Sequence, residues 1–414
     1  MSVSEKDTLI LRELAEKYIS YAFSDKNSER RELWRKLNCM NMQKPMVTID
    51  QIPWDELNTD GSLTNRVEDN YFRGIETTLL RSIYKFEHLQ ADTVLDPYIV
   101  LPRAISNSGF GLTTQRLKHS SNGTVCSHLF EDQLEELEDV QKIHTPTISI
   151  NTELEAEILF EAERIFGGIA PLQWGGIMLH SGLWDSITFW KGVESCYIDL
   201  IERPELIHAI MERYTTAFIE HIEEINRLEL YSIQSNNCHC SYTFNDRISD
   251  EERLTGSRTT YNGWTFSMAQ LFTSVSPEVN REFELPYMSR IFGYFDSVYY
   301  GCCERLDDRL DIICQMPNIR KISCSPWSDR EHFASVLPKK YIMSNKPTPS
   351  YLAGSSFDED IVREDIRRTI KAAKENGLGL ELLLKDISTV RNDPARLWRW
   401  SEIAAEETAN AAIG

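Results

Sequence analysis

Thiol, imidazole and carboxylate side chains gather in the second half of this chain, at the points where short apolar runs end. Asn236-Asn237-Cys238-His239-Cys240-Ser241-Tyr242 follows one run, Gly301-Cys302-Cys303-Glu304-Arg305 a second, and Cys324-Ser325-Pro326-Trp327 a third. Five of the nine cysteines lie in these three segments. Thiolate and imidazole donors suit a soft divalent cation such as zinc, and a catalytic zinc takes about three protein ligands with one position open. Cys302, Cys303, Cys324 and His239 can supply such donors from separate strands, with Glu381 or Glu304 adding a carboxylate. Zinc held in this way would polarise a heteroatom that carries a methyl group, or activate a thiol. The same cysteines also read as small buried hydrophobes. Residues 302 and 303 cannot both point inward from an ideal strand, which favours that second reading for one of them.

Other strand ends carry weaker signals. Asp96, after the run that starts at Thr93, reads as a base or hydrogen-bond acceptor, although Asp96-Pro97 is also a turn opening. His180 follows Gly176 to Leu179 and reads as a substrate ligand or a polar rim residue. Tyr242, Trp264 and Trp327, with Asp246, suggest an aromatic box for a methylated or cationic group, or plain packing. Lys346 and Asn236 are further candidates to bind substrate, with Cys302, His239 and Glu304 as catalytic groups. Lys385-Asp386, after the last apolar run, reads as an ion pair that closes a barrel.

The elements that must position these residues alternate in type. Amphipathic periodicity predicts helices from Thr152 to Ile169, from Pro204 through Ile225, after Ser276-Pro277, after Ser328, from Val362 to a stop at Gly377, and after Asp393-Pro394. Between them lie Thr93 to Val100, Gly176 to Leu179, Leu228 to Ile233, Phe295 to Tyr300, Ile319 to Ser323, Tyr341 to Met343 and Leu378 to Leu384, which have no helical period. Short apolar runs alternating with helices predict parallel strands buried on both faces. That count fits a single (β/α)8 TIM barrel, whose active site lies at the carboxyl ends of its strands, better than a doubly wound sheet. Residues 1–90 read as a helical N-terminal extension, with Leu11, Leu14 and Tyr18 on one face, and residues 91–414 as the barrel.

Composition sets the class of partner. A net charge of -20 repels nucleic acid phosphates and anionic membranes. No apolar run reaches the roughly 18 residues that span a bilayer, and the first twenty residues lack a signal peptide's apolar centre, so a cytoplasmic protein is expected.

Three stretches carry a family resemblance. Trp264-Thr-Phe-Ser-Met-Ala-Gln-Leu-Phe-Thr-Ser-Val-Ser-Pro-Glu278, Phe283-Glu-Leu-Pro-Tyr287 and Tyr299-Tyr-Gly-Cys-Cys-Glu304 resemble the uroporphyrinogen decarboxylase superfamily. In organisation the resemblance runs from Asp92 to Trp400, and it is sharpest from Trp264 to Trp327. It implies one (β/α) barrel and two classes of activity. The decarboxylases hold their substrate through an arginine-rich amino-terminal stretch, which MNMQKPMVTIDQIPWDEL (residues 40–57) lacks; Asp96 would occupy their aspartate's place. The other branch comprises corrinoid-dependent methyltransferases, many of which bind zinc through a His-x-Cys motif and a later cysteine. Here tyrosine stands at the histidine position, and Lys385 or a neighbour stands at the later cysteine. The resemblance therefore implies either a zinc site rebuilt from Cys302 or Cys303, Cys324 and Glu381, or a site that works without zinc. The expected function is methyl transfer from a small methylated compound to a corrinoid carried by a partner protein. A uroporphyrinogen-type decarboxylase and a non-catalytic corrinoid-binding barrel are the alternatives.

Overall fold

The computed structural model of the chain describes residues 3–118, 128–232, 239–249, 252 and 258–412. In chain order its strands are β1 (Met46–Ile49), β2 (Ile99–Leu101), β3 (Ile105–Asn107), β4 (Arg116–Lys118), β5 (His128–Phe130), β6 (Ile148–Ile150), β7 (Leu172–Trp174), β8 (Trp264–Ser267), β9 (Ser297–Tyr300), β10 (Ile319–Cys324), β11 (Ile342–Asn345) and β12 (Gly379–Leu384). β1, β12, β11, β10, β9 and β8 pair in that order as one six-stranded parallel sheet. β2 pairs with β7 in parallel, while β3–β6 and β4–β5 are short antiparallel pairs. The sheet is prolonged at both edges by single contacts. The Asp92 amide donates to the Val47 carbonyl beside β1, and bridges join His180 to Phe266 beside β8 and Ile177 to Tyr231 beyond it.

The (β/α) alternation of the carboxyl half is local chemistry at work. Ser276 accepts from the Glu278 amide with Pro277 in the first turn, and Asp393 does the same for Ala395 ahead of Pro394–Asn410. Glu359–Asn376 ends on Gly377 at φ +66°, a left-handed cap that glycine adopts without a Cβ penalty. Asn151 caps Thr152–Phe166 by accepting from the Leu154 amide, and Asp329 caps Arg330–Val336 by accepting from the His332 amide.

The first ninety residues are not wholly helical. Glu5–Ala22, Asp25–Asn38 and Asn70–His88 are helices, and Leu11, Leu14 and Tyr18 pack with Phe72, Leu79 and Phe166. Met46–Ile49, however, belongs to the main sheet, paired in register with Glu381–Leu384 of β12. Those four residues are all buried and lie between two loops, a pattern too short to separate from its helical surroundings. β8, which carries Thr265 and Ser267, was too polar to show as an apolar run.

Because side chains alternate across a strand, two sets of residues on the sheet go to opposite sides. One set holds Ile322 and Cys324 of β10 and Leu382 and Leu384 of β12, within the large apolar cluster that includes Phe333, Ile366 and Trp400 of the covering helices. The other set holds Tyr299, Lys321, Ser323, Ser344, Glu381 and Leu383, which meet one another on the concave side. At its base the Lys321 ammonium donates to Glu381 Oε2 at 2.7 Å and to Ser241 Oγ at 2.7 Å, with both charged side chains fully buried. Above it Ser344 Oγ bridges Glu381 Oε1 (2.6 Å) and the Tyr299 hydroxyl (2.6 Å), and Trp264, Tyr299 and Leu383 form a small apolar layer.

Candidate active site

The next residues in this parity stand above that layer, at the carboxyl ends of the strands. Lys346 follows β11 and Lys385 follows β12, two positions beyond Ser344 and Leu383. Lys346 Nζ donates to Ser323 Oγ (2.6 Å) and contacts the Tyr299 hydroxyl (3.1 Å). Lys385 Nζ donates to Cys302 Sγ at 3.2 Å, approaches His239 Nε2 at 3.3 Å and pairs with Asp386 at 3.2 Å. A thiol, two buried amines and an imidazole thus meet at the end of β9, β11 and β12.

The turn that delivers the thiols depends on glycine. Gly301 has φ +92°, and a Cβ there would lie 2.6 Å from Leu306 Cδ1 and 3.0 Å from Ser323 Cβ. This break in the strand lets two adjacent cysteines converge although strand parity forbids it: their sulfurs are 3.4 Å apart. Cys302 is 4% exposed, whereas Cys303 is exposed and 3.6 Å from Asp386 Oδ2. The Glu304 carboxylate turns back to accept from the Cys302 amide at 2.8 Å. Left-handed backbone at His239 (φ 47°), Cys240 (φ 65°) and Asp386 (φ 56°) surrounds the same spot. Such non-glycine residues cost on the order of 1 kcal/mol or more each, and they persist where surrounding contacts hold a site in place.

The electrostatics follow from this geometry. The hydrogen bond from Cys303 lowers the Cys302 thiol furthest; burial opposes it, and His239 and Lys346 add to it, so Cys302 is the ionised member of the pair. Cys303, which donates that hydrogen bond, is correspondingly held as a thiol. Burial pushes the Lys385 ammonium down, but the Cys302 thiolate and Asp386 outweigh it and leave Lys385 above the ordinary lysine value. Burial lowers Lys346. It also pushes His180 and His239 down to about 4, so both are neutral imidazoles at pH 7. Their rings lie on either side of Phe266, with centroids 4.3 Å and 4.7 Å from it.

A cavity of about 650 Å³ opens beside this centre, bounded by Cys303, Trp327, Asn345, Lys346, Lys385 and Asp386. That volume suits a small organic molecule.

The expected site residues therefore divide. His180, His239, Cys302, Cys303, Glu304 and Lys346 come together, and Trp327 stands at the cavity mouth. Asp96 does not join them: it lines a different cavity with Tyr18, Ile75 and Tyr98. Asn236 lies outside the described residues. The aromatic box does not form. Tyr242 packs on Trp34 and hydrogen-bonds Val94, Trp264 belongs to the apolar layer, Asp246 pairs with Arg35, and only Trp327 is open to a ligand.

The expected zinc set also does not converge. Cys324 has the parity of Ile322 and faces the helix layer, while Glu381 sits at the base, engaged by Lys321, Ser241 and Ser344. Among the described residues no three His, Cys, Asp or Glu side chains are grouped to hold a metal ion. The amine of Lys385 occupies the space beside Cys302 where a cation would stand.

Lys385 was the residue that sequence reasoning missed, having been taken for a structural ion pair. That ion pair is present, but the same ammonium holds the thiolate. The available signal was a basic residue at the place where the resembled family keeps a metal-binding cysteine.

Two expectations follow for residues around the centre. Cys324→Ser places a hydroxyl in an apolar layer and is expected to cost about 1–3 kcal/mol of stability, seen as a lower urea midpoint, while thiolate reactivity at Cys302 stays the same. The second concerns pH. Burial pushes Asp185 and Glu284 up to about 7, from the ordinary carboxylate range of about 4 that holds in the unfolded chain. The fold therefore keeps protons that the unfolded chain releases, and the associated stability is complete below about pH 4 and lost as pH rises towards 7. Glu284→Gln, whose oxygen still accepts from Asn280 and whose amide can donate to the Tyr300 hydroxyl, is expected to flatten this slope in urea titrations between roughly pH 5 and 7.

No protein-family model matches the chain, and no curated protein matches it. A solved structure of a methyltransferase from Methanosarcina mazei is similar with a TM-score of 0.48 at 12% identity, over 91% of this chain and 97% of that one. A likeness at that level carries no inference about activity. No helix among the described residues is long and apolar enough to cross a membrane.

Proposed function

We propose that this chain is a methyltransferase that moves a methyl group from a small methylated compound to a corrinoid carried by a separate protein, with Lys385 as the acid in place of a metal. The observation that carries the reading is the Lys385 ammonium, buried and held by the Cys302 thiolate at the wall of a small cavity. The sequence resemblance to the methyltransferase branch of the uroporphyrinogen decarboxylase superfamily supplies the reaction class. The segment at Asp92, beside β1, and the segment at Ile177 to His180, beside β8, are the remaining staves of a closed (β/α)8 barrel.

In this reading a donor CH3–X–R lies in the cavity with X towards Lys385. The carbon–X bond breaks, the methyl leaves to the acceptor's electron pair, and X keeps the bonding pair and takes a proton from Lys385 Nζ. Protonation of the leaving heteroatom is what a Lewis acid would otherwise provide. Cys302 and Asp386 keep Lys385 charged in a buried site. Lys346 and Asn345 offer donors to the rest of the substrate, and Trp327 covers the methyl-bearing end. Corrinoid supplies a nucleophilic cobalt when its carrier docks at the mouth.

The test is methylcorrinoid formation from reduced corrinoid, with methylated amines, betaines, thioethers and aromatic ethers offered in turn. One donor class is expected to react. A folded protein that methylates the corrinoid from none of them contradicts the reading. The two mouth lysines also suit a carboxylate, so release of carbon dioxide from a small acid in the same samples would point to the decarboxylase reading instead.

A further inference from the structure

The adjacent cysteines carry more than the proposed reaction uses. Their sulfurs are 3.4 Å apart, already close to contact, and the break at Gly301 holds them there. They differ in exposure: Cys303 faces the cavity and Cys302 lies behind it. Two positive side chains, Lys385 and Lys346, favour a negative charge on the pair. Reactivity of a thiol towards oxidants follows the ionised fraction and access. Cys302 has the charge and Cys303 the access, and a proton can pass between them across the 3.4 Å contact.

We propose that Cys302 and Cys303 form a peroxide-oxidisable dithiol that closes to a vicinal disulfide and disarms the site. Transfer of the Cys303 proton to the Cys302 thiolate across the 3.4 Å contact puts the negative charge at the cavity wall, where the Cys303 thiolate attacks the peroxide oxygen. The O–O bond breaks, hydroxide leaves, and Cys303 becomes a sulfenic acid. The Cys302 sulfur then attacks the Cys303 sulfur; the S–S bond forms and the sulfenic hydroxyl departs as water with the Cys302 proton. Two electrons pass from the sulfurs to the peroxide, and a small dithiol reverses the change. Oxidation removes the thiolate that holds Lys385 charged. This consequence for activity rests on the proposed function, whereas formation of the disulfide does not.

Among the other described cysteines, burial is the largest influence and opposes ionisation. Cys196 and Cys324 are buried, and burial pushes both thiols up to about 12.

The experiment treats the full chain with stoichiometric hydrogen peroxide and reads intact mass, free-thiol count and the cysteine peptides. The expected result is a loss of two hydrogens and of two thiols, located on the peptide bearing Cys302 and Cys303 and reversed by dithiothreitol. Cys303→Ser, a change at an exposed position, is expected to slow thiol loss at Cys302 by about tenfold or more, because reactivity follows access. Oxygen added to a single cysteine without disulfide closure, or a disulfide elsewhere, overturns the proposal. Because these readouts need no methyl donor, they stand whether or not methyl transfer is found.

Discussion

Lys385→Met is expected to slow methyl transfer by about 10²–10⁴-fold, the contribution typical of a positioned proton donor. Methionine keeps the length and apolar stem of lysine but has no proton to give, so packing changes little while the reaction loses its acid. The loss should fall on kcat more than on KM, because the proton is needed when the carbon–heteroatom bond breaks and not when the donor binds. Lys385→Arg separates charge from fit: it restores a cation beside Cys302 but not a small, readily shared proton, and should recover only part of the rate. A Lys385→Met protein that is folded and turns over at the wild-type rate removes Lys385 from the chemistry.

The largest effect on stability is expected from Lys321→Met. The ion pair of Lys321 with Glu381 lies at the base of the concave side, with both side chains fully buried. Removing one partner strands the other charge, which costs about 3–5 kcal/mol in buried pairs. Ser241 and Ser344 still donate to Glu381, but two hydroxyls do not replace the cation. Replacing both partners, Lys321→Met with Glu381→Leu, is expected to return most of the stability, since an apolar pair needs no desolvation of charge. Urea midpoints of wild type and the two variants check this. A loss below about 1 kcal/mol for Lys321→Met would mean that water reaches the pair, as it does at surfaces.

The strands that sequence reasoning found are those whose apolar run is bounded by turn residues: β9, β10 and β12 fall almost where expected. β1 and β8 were missed for opposite reasons. Met46–Ile49 is apolar but only four residues long, and Trp264–Ser267 carries two hydroxyls on the side opposite Tyr299. Sequence reasoning placed Cys302 and Cys303 correctly just past the end of a strand, β9. It failed on the direction of Cys324, which is set by parity with Lys321: a basic residue inside a buried run marks the concave side, so Cys324, three positions on, must face the other way. It failed also on Lys385, since nothing in a linear sequence pairs residue 385 with residue 302 across 83 positions. The convergence of two neighbouring cysteines was likewise hidden, because it depends on the left-handed turn at Gly301 and not on strand geometry.

The central claim is that Cys302 is ionised at neutral pH, held by Lys385 and Cys303 without a metal. Ultraviolet thiolate absorbance of chelator-treated protein, titrated against pH with Cys302→Ser as the reference, tests it most directly. The account predicts that wild type carries one thiolate more than the variant near pH 6, well below the value of about 8.5 for an ordinary thiol, and that Lys385→Met narrows this difference by shifting the thiol upward. Identical titrations of wild type and Cys302→Ser below about pH 8 would contradict the account.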